Sequence, residues 1–382
     1  MVTILNTTNV FDYLAQLNYC TLADRQTSQI TVIPAKNFNL KIAFADGHHL
    51  LVKQELYHSQ DRTLGEFFAA WRIQRLVTDL PTFGSEFSKF LPELLHFDPD
   101  NSILIVNFRT DYRDLYGYYA EEQQFPIEIA RSIGQLLGKI HSQTFKRVEY
   151  RDFLTNRSPV EVNVNKLDIV NRLSRITPQI FRYLSSECLQ FYKLYQRLPA
   201  LSQAIIDLKN SAIPSCLIHN DLKINNILLA LEWENSDSNI IRLIDWESAG
   251  WGDPAFDLGC ILGSYLEIWL DGLVINNTLS INQSLQLATT PLELLQPSLF
   301  TILQVYLDRF PVIISTRPDY LNRVIQFTGL SLIIRLETMI RDERIFGNRG
   351  IIILQVAKQL ICSPQAAMST LFGSNSAKLL NK

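Results

Sequence analysis

The chain has 382 residues, room for two or three folding units or for one large two-lobed protein. Its 35 Lys and Arg against 38 Asp and Glu leave a formal charge of -3, which argues against a protein whose main work is neutralising a nucleic-acid backbone. A hydrophobic share of 47% with only 15 Gly and 15 Pro rules out disordered, collagen-like and low-complexity classes. Five cysteines (Cys20, Cys188, Cys216, Cys260, Cys362) lie far apart without a Cys-x-x-Cys pair, so neither a zinc site nor a disulfide framework is expected, and the chain reads as cytoplasmic. The N-terminal stretch MVTILNTTNVFDYLAQL has no basic region followed by an apolar run, and the apolar stretch GCILGSYLEIWLDGLVI is broken by Glu267 and Asp271. Neither secretion nor a membrane span is expected.

In chain order, residues 30–55 hold short apolar, β-branched runs divided at 35–39 and at Asp46-Gly47, and predict three strands joined by hairpins. The segment LGEFFAAWRIQRLV spaces Leu64, Phe67, Phe68, Trp71 and Leu76 at helical intervals. Apolar runs at 90–97 and 103–108 add two strands. From about residue 109 the pattern turns helical, starting at PIEIARSIGQLLGKIHS with Pro126 at its first turn. Only 226–233 and 239–245 interrupt it as strands, helical text returns from 257 to near 361, and the last dozen residues read as frayed. Charge is uneven: residues 131–210 carry 13 basic and 6 acidic side chains, whereas 243–308 carry 8 acidic residues and no Lys or Arg.

The densest chemical signal is CLIHNDLKINNILLA followed by IIRLIDWESAGWGDPAFDLG. His219, Asp221, Lys223 and Asn226 have the H-x-D-L-x-x-x-N spacing of a kinase catalytic loop, and Asp245 follows 19 residues after Asn226. Phosphoryl transfer needs one carboxylate aimed at the acceptor hydroxyl, plus an amide oxygen and a second carboxylate as hard ligands for Mg2+. Asp221, Asn226 and Asp245 are the three groups of that kind.

On these residues the chain resembles the aminoglycoside phosphotransferase and choline kinase group of the protein-kinase-like fold. Asp-Trp-Glu at 245–247, Gly252-Asp253-Pro254 and Asp257-Leu258 are similar to that group's pattern. The resemblance implies an α+β, two-lobed fold: a small β-sheet lobe with one helix over residues 1–108 for the nucleotide, and a larger, mostly α-helical lobe over 109–382 for catalysis and acceptor. It implies Asp221 as catalytic base, Asn226 and Asp245 as metal ligands, and Asp257 as anchor of the catalytic loop. Lys53, at the end of the third strand, matches the lysine that pairs with ATP phosphates, and Glu66 matches its ion-pair partner, with Glu55 nearby. His141 in GKIHS resembles a histidine that ends a helix in this group, and a core histidine explains it as well. ATP and Mg2+ are the implied cofactors.

The chain departs from the family in having no glycine before Gly47, where a phosphate-covering loop usually carries one. The matching turn is Ala35-Lys36-Asn37-Phe38; Lys36 offers a point charge to phosphate and Asn37 tolerates a positive φ. Lys223 sits where Ser/Thr kinases place a lysine near the transferring phosphate. Three functions stay open: a kinase for a hydroxyl-bearing small molecule, a kinase for Ser/Thr of a ribosomally made precursor peptide acting with a partner lyase, and a pseudokinase binding module. The acidic stretch 243–308 suits a cationic acceptor; the basic stretch, with Arg172, Arg175 and Arg182 on one helical face, suits an anionic or peptide one.

Overall fold

The computed structural model describes residues 3–56, 65–155, 167, 169, 173, 184–236, 239–276 and 278–380. Leu64 and the three arginines 172, 175 and 182 lie outside the described residues. The chain divides into two compact units, one formed by the described residues of Met1–Asp114, Phe153–Val164 and Ile227–Ala249, the other by those of Leu115–Asp152, Asn165–Asn226 and Gly250–Lys382.

The first unit is built on five antiparallel strands, β1 (Gln29–Ile33), β2 (Phe38–Ala43), β3 (His49–Gln54), β4 (Leu94–Asp98) and β5 (Ile103–Asn107), in the order β1-β2-β3-β5-β4. The expected strands are all present. Because side chains alternate along a strand, Leu40, Ile42, Leu50, Val52, Ile103 and Ile105 point to one face, where Val10, Phe11 and Leu14 of helix α1 (Val10–Gln16) cover them. Leu104 and Val106 point to the other face and pack on Phe67 and Ala70 of helix α2 (Glu66–Asp79), followed by helix α3 (Pro81–Phe87). Gly47 turns the β2–β3 hairpin with φ +89°, and its N–H donates to the Phe44 carbonyl at 3.0 Å. A second sheet, β6 (Tyr112–Asp114), β7 (Ile227–Ala230) and β8 (Ile241–Leu243), is antiparallel in that order. The two strands expected at 226–233 and 239–245 are shorter than their text suggested, since the chain leaves β7 after Ala230 and forms a 3-10 turn at Trp233–Asn235. The pattern gave no sign of β6, three residues long.

The second unit is helical: α4 (Leu115–Glu122), α5 (Ile127–Thr144), α6 (Ser186–Tyr195), α7 (Pro199–Asn210), α8 (Pro254–Asp271), α9 (Leu292–Arg309), α10 (Tyr320–Thr338), α11 (Gly347–Cys362) and α12 (Pro364–Phe372). Pro126 caps α5 from the position before its first turn. Two glycine pairs at i, i+4 decide the closest packing. A Cβ on Gly134 would stand 2.6 Å from the Ile302 carbonyl oxygen, and one on Gly138 would stand 3.0 Å from that of Tyr306, so α5 lies backbone to backbone on α9. Gly259 and Gly263 do the same for α8 against Phe327, Thr328 and Ser331 of α10. A two-stranded ribbon, Cys216–Ile218 with Gly250–Gly252, completes the unit. The expectation of a frayed C-terminus fails: Ser376–Leu380 is helical, and Leu371, Phe372 and Leu379 are buried because each turns an apolar side chain inward. None of the five cysteines is in a disulfide, and no single described helix is both long and apolar enough to cross a membrane.

Candidate active site

The strand Cys216–Ile218 ends where the His-x-Asp segment begins, and α8 supplies the groups that fix the path of that segment. Asp257 Oδ2 accepts the His219 backbone N–H at 2.6 Å and Oδ1 accepts that of Asn220 at 2.8 Å. Two helical turns later on α8, Ser264 Oγ accepts the Ile224 N–H at 2.9 Å. A spacing of seven residues places both acceptors on one helix face. Between these anchors Asn220 takes a left-handed conformation, φ 63°, which an Asn tolerates because its short polar side chain bonds locally. Asp221 follows that bend directly, with its side chain 28% exposed.

Lys223 Nζ lies 3.3 Å from Asp221 Oδ2 on a half-exposed side chain. Asn226 is buried, and its Nδ2 donates to the Asp221 carbonyl oxygen at 2.8 Å. That bond orients the amide, and Oδ1 takes no hydrogen bond from the described residues, as a hard-metal ligand requires. Farther along α8, burial pushes the Glu267 carboxyl up to about 7, with Arg335 and Lys223 pulling it down and Asp271 and Asp221 adding to the rise. Burial also raises the Asp271 carboxyl, against Arg335 and Arg349. Glu267 thus lies in the field of Asp221, and Asp271 in that of Arg335, Arg349 and Glu343.

In the first unit Lys53 lies on the α2 face of β3, as alternation from Leu51 requires, under the Phe67 ring at 5.6 Å. Its ammonium is held by Asp245 Oδ1 at 2.9 Å and by Glu247. Burial alone would lower its pKa, but Glu247 and then Asp245 raise it above the ordinary lysine range. Burial raises the Glu247 carboxyl, with Lys53 opposing. Asp245 sits at φ 61°, a left-handed bend that lifts its carboxylate out of β8.

The Lys53–Glu66 pair anticipated from the family pattern is not the pair observed. Glu66 Oε1 instead holds Lys36 Nζ at 2.5 Å. The reason is local: the β1–β2 turn is a Pro-Ala-Lys-Asn sequence without glycine, and it carries the exposed Lys36 over the first turn of α2, whereas Asp245 and Glu247 already occupy the Lys53 ammonium. Asn37 is buried in that turn without a positive φ, so the turn closes with no left-handed residue. Glu55, the alternative partner, is used otherwise: its carboxylate accepts the N–H groups of Gly65 at 2.9 Å and Phe67 at 2.7 Å and so caps α2. Sequence reasoning missed Glu247, Ser264 and the capping role of Glu55. Glu247 was visible as the acid two residues past Asp245, and Ser264 as the polar residue seven past Asp257.

Residues 109–284 match the model of the phosphotransferase enzyme family APH. The family resemblance holds. A 4-hydroxytryptamine kinase from Psilocybe cyanescens is 25% identical over 186 residues, 47% of this chain and 48% of the relative, so the chain spans about half the length of that curated protein. Among solved structures, a choline kinase from Cryptosporidium parvum Iowa II aligns over 98% of this chain and 100% of its own, with a TM-score of 0.55 at 13% identity. The ADP-bound aminoglycoside phosphotransferase APH(2'')-Ib aligns over 93% of this chain and 99% of its own, TM-score 0.50 at 13% identity. The fold is therefore the protein-kinase-like α+β fold of these phosphotransferases and choline kinases.

Proposed function

We propose that the chain is an ATP- and Mg2+-dependent phosphotransferase that moves the γ-phosphate of ATP to a hydroxyl group of a small molecule. The single observation that carries the reading is Asp221, presented by a left-handed turn that Asp257 clamps through two backbone N–H groups. In this reading Asp221 accepts the proton of the acceptor hydroxyl as oxygen attacks phosphorus, and Lys223 lowers the cost of the charge gathering there. Asn226 and Asp245 would each give an oxygen to Mg2+, which when bound neutralises the phosphate charges. Lys53 holds the phosphates, and Glu66, Lys36 and Asn37 shape the turn beside them, so that residues 1–108 serve the nucleotide and 109–382 the acceptor and catalysis. Positioning and charge neutralisation supply the rate, without a covalent enzyme intermediate.

The acceptor we propose is a hydroxylated amine. Support comes from Glu267, which lies in the fields of Asp221 and Asp271, and from similar proteins named as kinases of 4-hydroxytryptamine and choline. The peptide alternative with its partner lyase rests on Arg172, Arg175 and Arg182, which lie outside the described residues. A nucleotide-binding module without turnover is the second reading, and the glycine-free β1–β2 turn favours it. Measuring ATP consumption with hydroxylated amines and Ser/Thr peptides, beside thermal stabilisation by Mg·ATP, separates the three. Turnover with amines is the expected result.

A further inference from the structure

Behind the catalytic loop, four buried polar side chains form one line. Tyr320 and Tyr306 hydroxyls lie 2.8 Å apart, the Tyr306 hydroxyl lies 2.9 Å from His141 Nδ1, and His141 Nε2 lies 3.4 Å from Asp257 Oδ2. His141, Asp257, Tyr306 and Tyr320 are each at 0% exposure. The line has a direction. Burial, with the neighbouring phenol, raises the Tyr306 hydroxyl well above its ordinary value, and burial raises Tyr320, so both stay protonated donors. A carboxylate only accepts, so a neutral imidazole with Nε2–H toward Asp257 takes the Tyr306 hydroxyl proton at Nδ1 and leaves the Tyr306 oxygen to accept from Tyr320. Gly138 makes the contact feasible, because only a residue without Cβ lets α5 approach the Tyr306 backbone so closely.

We propose that Tyr306, backed by Tyr320, is a positioning residue for phosphoryl transfer: through His141 it orients Asp257, whose two oxygens hold the bend at Asn220 that presents Asp221. The proposal rests on Asp221 as the base. A hydrogen-bond chain of this kind polarises each member, and its deletion leaves a buried imidazole nitrogen unpaired.

The test is Tyr306→Phe, which removes one oxygen and keeps the ring that stacks on Tyr320 at 6.2 Å. Hydrogen exchange at the His219 and Asn220 amides should quicken by about tenfold while α9 amides stay protected, and Tyr320→Phe should give a smaller acceleration of the same amides. With a turned-over acceptor, kcat should fall about tenfold with KM for ATP unchanged, since the loop acts on the transferring group. Exchange at 219 and 220 unchanged in Tyr306→Phe overturns the proposal, whether or not an acceptor is known. Faster exchange with kcat unchanged in an active enzyme also overturns it, leaving a structural role alone. Absence of turnover in the wild type would instead count against the phosphotransferase reading.

Discussion

Lys53 Nζ lies 2.9 Å from Asp245 Oδ1, a pairing between a strand of the five-stranded sheet and the residue just past β8. Glu247 closes on the same ammonium, and Glu66 is thereby left to Lys36. The buried cation already sits among carboxylates, so it suits an anionic phosphate group that takes their place.

From that placement, Lys53→Ala should weaken Mg·ATP binding at least tenfold, about 1.4 kcal/mol. Lys36→Ala should cost less, because its side chain is 62% exposed and such pairs are screened. Titration calorimetry reads both. The reverse order would make Lys36 the principal phosphate contact.

Asp245→Ala should abolish the Mg2+ dependence of nucleotide affinity, because a metal ligand and a counter-charge are lost together. Unchanged Mg·ATP affinity would remove Asp245 from that role.

The α5–α9 contact gives a stability prediction. A side chain at Gly134 must displace the Ile302 backbone, 2.6 Å from the new Cβ, so Gly134→Val should cost about 3 kcal/mol or prevent folding. Gly250→Ala, where nothing lies within 4 Å, should leave the midpoint of chemical denaturation almost unmoved.

Much of this is legible in the amino-acid sequence. The short β-branched runs at 30–55 and the H-x-D-L-x-x-x-N spacing are local patterns, and they appear in the structure as strands and as a loop at those residues. What stayed hidden depends on three-dimensional competition. Whether Lys53 pairs with Glu66 or Glu247 turns on which carboxylate reaches the ammonium across the sheet, and spacing along the chain does not rank those distances. The strand at Tyr112–Asp114 is too short to show a period and exists because Asp111 and its neighbours meet β7. No motif along the chain marks Tyr306 or Tyr320, and only the contacts Tyr320–Tyr306 and Tyr306–His141 reveal polar work for their hydroxyls.

Glu267 yields a pH dependence. Its carboxyl is raised on folding from 4.5 to about 7, so the native state holds more protons than the unfolded one in that interval. Native stability contributed by this group is therefore present below about 4.5 and lost as pH rises through about 7. Glu267→Gln should flatten this decline in thermal midpoint and leave values at pH 4 nearly unchanged. An identical decline in the variant would assign the pH dependence elsewhere.

The most direct measurement follows phosphorus itself: 31P NMR of wild-type protein and Asp221→Asn with Mg·ATP and a panel of hydroxylated amines, Ser/Thr peptides included as controls. A new phosphomonoester signal is expected with an amine acceptor in the wild type, and a rate lower by about 10²–10⁴-fold in Asp221→Asn at equal thermal stability, because an amide cannot take the hydroxyl proton. Nucleotide binding without any phosphomonoester, or a variant as fast as the wild type, would contradict it.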